Sequence, residues 1–104
     1  MQSEPEVFPF DYGIVFAAVG ETLPAVGFRV VSADPATGVI HGTTELSPAS
    51  WGENLTIQLG SAQPAETTVV IHSNLKFGLV DWGKNKRNVA KIQEELRRRL
   101  GVNR

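Results

Sequence analysis

From Glu53 to Gly60 the sequence alternates without interruption, with Leu55, Ile57 and Leu59 set between Asn54, Thr56 and Gln58. Successive side chains of a β-strand leave opposite faces, so this segment presents one apolar face and one hydrogen-bonding face. Such a strand belongs in a sheet that has a core on one side and solvent on the other. The rest of the chain must therefore supply an apolar cover for one face only.

Two segments have the helical period that such a cover needs. After Asp11, which suits an N-cap, residues Tyr12, Val15, Phe16, Val19, Leu23 and Val26 fall on one helical face. Phe10 and Val15 are spaced as a hydrophobic staple across that cap. Pro24 would press on the carbonyl of Gly20 and predicts a kink or an early stop, with Gly27 placed to close the helix. At the other end of the chain Val89, Ile92, Leu96 and Leu100 form a second stripe that ends near Gly101. Trp82 and Asn85 extend it backwards, which favours a helix starting at Asp81 as N-cap over a start at Asn85.

Between the helices lie four strand candidates: 28–33, 39–45, 53–60 and 66–74. The first two flank Asp34-Pro35-Ala36-Thr37-Gly38, whose residues favour a hairpin loop. Pairing Ala33 with Val39 puts Phe28, Val30 and Ile40 on one face and Arg29, Val31, His41 and Thr43 on the other. A turn over 61–65 leads to the last strand, with Val69 and Ile71 inward and Thr68, Val70 and His72 outward. Short connections favour an antiparallel meander. The expectation is a two-layer α+β fold of order α-β-β-β-β-α, a four-stranded sheet with both helices on one face. Residues 1–10 read as a flexible N-terminal arm that Val7, Phe8 and Phe10 could anchor, 11–101 as the single domain and 102–104 as a tail.

At 104 residues the chain fits one domain. It has no cysteine, which excludes disulfides and thiolate chemistry. Its longest apolar run, Ile14 to Val19, is far short of the ~20 residues that span a bilayer. With neither a basic n-region nor an apolar h-region near its start, the chain reads as soluble and cytoplasmic. The net charge of −1 hides a strong polarity: residues 1–75 carry −7 and residues 76–104 carry +6.

No catalytic, metal or cofactor signature occurs. His41 and His72, the only histidines, fall on the outer face two strands apart, ~10 Å, too far for shared metal ligation. Neither has a carboxylate orienter, no serine lies in a G-x-S-x-G elbow, and no phosphate-binding glycine loop is present. These histidines read as solvent-facing or interface residues, and the chain as lacking enzymatic activity and cofactor. Trp51 and Trp82 each precede a glycine at the entrance to a regular element. They could contact a ligand or partner, although core plugs are the simpler reading, above all for Trp82.

The basic residues Lys84, Lys86, Arg87, Lys91 and Arg98 could bind a polyanion, either nucleic acid or an anionic lipid surface. Glu94 and Glu95 sit amid them at pairing distance from Arg98 and Arg99, so a solvated helix face explains most of the cluster. The back of the first helix is less polar than an exposed helix should be: Ile14, Ala17, Ala18, Glu21 and Ala25 include one charge. The outer sheet face, with Val31, Val39, His41, Thr43, Thr56, Val70 and His72, is only moderately polar. The arm over Val7 to Phe10, a second copy or another chain could cover the helix. The first expectation is thus a non-catalytic interaction or assembly domain that self-associates. Polyanion binding comes second, and a small-ligand site between sheet and helices third.

Overall fold

The computed structural model describes residues 2–44, 52–75 and 83–102. Their order is β1 (Glu6–Phe8), α1 (Tyr12–Ala25), β2 (Arg29–Asp34), β3 (Val39–Thr43), β4 (Glu53–Gln63), β5 (Glu66–Leu75) and α2 (Lys84–Leu100). The class is α+β as expected, but the sheet has five strands, in the order β1-β5-β4-β3-β2, all antiparallel. The additional strand comes from the segment expected to be a loose arm. Val7 pairs with Thr68 and Phe8 with Thr67, while the Ser3 amide donates to the Ile71 carbonyl at 2.8 Å. Phe8 is fully buried, and its ring supplies the burial that offsets the entropy of ordering the arm.

Both helices pack on one face of the sheet. Val15, Val19 and Leu23 of α1 and Val89, Ile92 and Leu96 of α2 share a core with Ile40, Leu55, Ile57, Leu59, Val69 and Ile71. The alternation in β4 and β5 therefore reads as it should, with Leu55, Ile57, Leu59, Val69 and Ile71 on the covered side and Val70 on the other. The end of α1 follows its sequence signals. Gly27 takes φ +97°, its amide donates to the Pro24 carbonyl, and the Phe28 amide donates to that of Leu23 at 2.9 Å, a Schellman closure. Asp11 precedes the helix without a side-chain cap bond.

Three local expectations need correction. α2 begins at Lys84, preceded by Gly83 in a left-handed conformation, and not from an Asp81 cap; Asp81 itself lies outside the described residues. The 34–38 loop is one residue shorter than expected, because Asp34 pairs with Val39 and Ala33 with Ile40. An Asx turn, in which the Ala36 amide donates to Asp34 Oδ1 at 2.9 Å, tightens it. A bulge between Val30 and Ser32 then restores the facing of β2. Finally, β4 runs on to Gln63, so the β4–β5 hairpin turns at Pro64 and Ala65 rather than over 61–65.

Candidate functional site

The centre of the uncovered sheet face is a row across three strands, with His41, Thr56 and His72 side by side in the registers of β3, β4 and β5. His41 Nδ1 lies 3.1 Å from Thr56 Oγ1. Gln2 forms an isolated bridge to His72 and extends the row beyond β5. On one side runs the row Val39, Gln58 and Val70, and on the other Thr43, Asn54 and Asn74. A hollow of about 490 Å³ lies here, with Gln2, Thr56, Gln58, Val70, His72 and Asn74 among its lining.

Of the residues expected on this face, Val39, His41, Thr56, Val70 and His72 are brought together. Two are not. Val31 occupies the bulge, 57% exposed, and Ser32 takes the place beside His41. Thr43 is on the outer parity yet buried, with its hydroxyl 3.2 Å from the Glu53 carbonyl, which withdraws it from any contact surface.

On α1 the residues Gly13, Ile14, Ala17, Glu21, Pro24 and Ala25 are all exposed and share one helical face. Ala18, expected with them, belongs instead to the core at 8% exposure, because it sits between Val15 and Thr22 on the buried side. Ile14 stays 52% exposed. The arm does not cover this face, since residues 6–8 are committed to β5.

The basic helix is more engaged than its composition suggests. Arg97 holds Glu6 through two bonds of 2.7 and 3.1 Å and so ties β1 to α2. Arg98 reaches Glu95 at 2.5 Å and Arg99 reaches the same carboxylate at 3.0 Å. The Arg98 hydrogen bond holds the Glu95 carboxyl below its usual range, with the charges of Arg98 and Arg99 adding to the effect. Lys91 lies over the Phe28 ring, 5.6 Å from its centroid. Lys86 and Arg87 are exposed, and nothing is described of the Lys84 side chain. Trp51 and Trp82 lie outside the described residues.

Sequence reasoning missed a buried polar cluster between the sheet and α2. Glu53, Ser73, Asn85 and Asn88 are all below 9% exposure. The Thr44 hydroxyl donates to the Glu53 carboxylate and accepts from the Glu53 amide at 2.7 Å. Ser73 donates to Asn85 Oδ1 at 2.9 Å, and the Asn88 amide reaches Glu53 Oε1 at 3.4 Å. Burying a carboxylate is costly unless its oxygens are bonded, and here each has a donor. Among the described residues no buried side-chain polar atom lacks a partner. The signal was in the pattern, since Glu53 and Ser73 continue the inward parity of Leu55 and Ile71. The cluster fixes α2 on the sheet by directional bonds where the apolar contacts end.

Among the described residues no three of His, Asp and Glu are grouped to hold a metal ion, and no helix is long and apolar enough to cross a membrane. No protein-family model matches the chain, and no curated protein matches its sequence. Among solved structures it is similar to the crystal structure of Ara h 8.0201, at a TM-score of 0.56 over 99% of each chain with 14% identity. That protein has a Bet v 1-like fold, and at this identity the likeness concerns the fold alone.

Proposed function

We propose that this chain is a non-catalytic interaction domain that self-associates through the outer face of α1. The observation that carries the proposal is the makeup of that face. Over the fourteen residues of the helix the only charge is Glu21, and it lies 3.6 Å from Arg99. A surface helix ordinarily carries a charged outer stripe; one that is apolar or small all round is usually buried by something. The arm is excluded as that cover, because it is part of the sheet.

A second copy fits the face best. Gly13, Ala17 and Ala25 let two helix backbones approach closely, and Ile14 can pack against its symmetry mate across a two-fold axis. The sheet edges are less suited to association: β1 is short and flanked by Pro5 and Pro9, and β2 is bulged. From Gly13 to Ala25 the stripe is ~18 Å long and about one helix diameter, ~10 Å, wide. That is well below the ~800 Å² per partner of a standard interface, so the dimer should be weak. Polyanion binding through α2 is less supported, because Arg97, Arg98 and Arg99 are held by carboxylates of the chain itself.

Sedimentation velocity from micromolar to millimolar protein tests the reading. The wild type should shift toward dimer with concentration, and Ile14→Lys with Ala17→Lys should remain monomeric and folded. A wild type that is monomeric throughout, or a double variant that associates equally well, would sink the proposal.

A further inference from the structure

The geometry points to a binding site for a small neutral polyhydroxylated ligand, a mono- or disaccharide, in the hollow on the uncovered face of the sheet. The hollow lies on the opposite side of the sheet from α1, so the site is independent of self-association. Its volume of about 490 Å³ falls within the roughly 300–1,000 Å³ of small-ligand sites.

The lining decides the ligand class. Among the described residues that line it there is no Lys, Arg, Asp or Glu, so none of these six offers a charge complementary to an anion or a cation. Thr56, Val70 and His72 are half-buried and make the floor, while the amides of Gln2, Gln58 and Asn74 are exposed and make the rim. Hydroxyl, imidazole and carboxamide groups each offer donors or acceptors without net charge, which suits hydroxyls that both donate and accept. Val70 provides the one apolar patch, against which the C–H face of a sugar ring can rest.

Two features prepare the site. Gln58 is pinned, since its Nε2 donates to the Thr37 carbonyl at 2.9 Å and to that of Leu59 at 3.0 Å, which leaves Oε1 as a positioned acceptor. The side chains of His72 and Gln2, by contrast, have no hydrogen-bond partner among the described residues, so their polar atoms can be used by a ligand without breaking an internal bond. The floor residues stand on β4 and β5, each paired on both sides, so the constellation is held by the sheet and not by a loop. Among the described lining residues there is no Phe, Tyr or Trp, which sets the expected affinity in the millimolar range.

The test is a titration of the full chain, followed through its backbone amide and histidine ring resonances. The probes are glucose, galactose, maltose and lactose, with glucuronate as the charged control. Saturable shifts are expected at Gln2, at Thr56 to Gln58 and at Val70 to Asn74. They should weaken at least tenfold in His72→Leu and in Thr56→Val, whose spectra report that each variant remains folded, and be unchanged in Ile14→Lys. The proposal is overturned if none of the four neutral sugars gives saturable shifts, if the shifts map elsewhere, or if they survive both variants. Tighter binding of glucuronate than of glucose would overturn the assignment of a neutral ligand.

Discussion

Replacing Phe8 by Ala isolates the contribution of the N-terminal segment, whose place as a strand the pattern of residues 1–10 did not announce. Phe8 is completely buried and belongs to a strand of three residues, paired with Thr67. A buried phenylalanine removes at least ~150 Å² from water, which at ~25 cal/mol per Å² is about 4 kcal/mol. Phe→Ala changes in cores cost about 3–5 kcal/mol, cavity included. Against a total stability of about 5–15 kcal/mol for a domain, a loss of about 4 kcal/mol is roughly a quarter or more. At ~4–8 °C per kcal/mol, the melting temperature should fall by about 15–30 °C. Val7, the neighbour on the same strand, is 43% exposed, so Val7→Ala should stay within about 0.5 kcal/mol. Urea unfolding followed by circular dichroism measures both variants by the same transition, without interference from disulfides. A loss below about 1 kcal/mol for Phe8→Ala, or equal losses for both variants, would refute the burial argument. β1 would then be an accessory edge and not part of the core.

Two further outcomes follow from other parts of the fold. Gly38 has φ +76°, and a Cβ there would stand 2.3 Å from the Leu59 carbonyl oxygen; Gly38→Ala should therefore cost ~2 kcal/mol or more in calorimetry, while a loss under about 0.5 kcal/mol would show that the loop yields freely. Arg98→Ala should move the Glu95 carboxyl back up toward its usual range, read from its side-chain carbon resonance during an acid titration. Since the folded-state value is depressed, any stabilisation from this pair is present above the ordinary carboxylate range and is lost as pH falls through the folded value. On so exposed a pair the effect on stability should be barely measurable. An unchanged Glu95 titration in the variant would refute the role assigned to Arg98.

How much of this was legible beforehand can be followed element by element. Strict alternation in 53–60 specified a one-sided sheet, because a strand has a period of two regardless of its neighbours. The stripes of the two helices specified the cover, and Gly27 the end of α1, since a left-handed residue there is a local backbone requirement. Most of the exposed face of α1, Ala18 apart, and the outward facing of His41, Thr56 and His72 were also readable from periodicity, whereas their alignment in one row rests on the strand registers.

What remained depended on partners distant in sequence. Phe8 joins the core only because β5 has a free edge for residues 6–8 to occupy, sixty positions away. The bulge at Val31 arises from reconciling a four-residue loop with the facing of β3, which neither strand encodes by itself. Ala18 enters the core because the packed helix buries a wider stripe than its large residues mark. Glu53, Ser73, Asn85 and Asn88 become one cluster only when α2 lies across the ends of β4 and β5. Local periodicity determined which residues face the same way. Tertiary packing decided which of those faces meet, because burial and hydrogen bonding are properties of the pair and not of either segment.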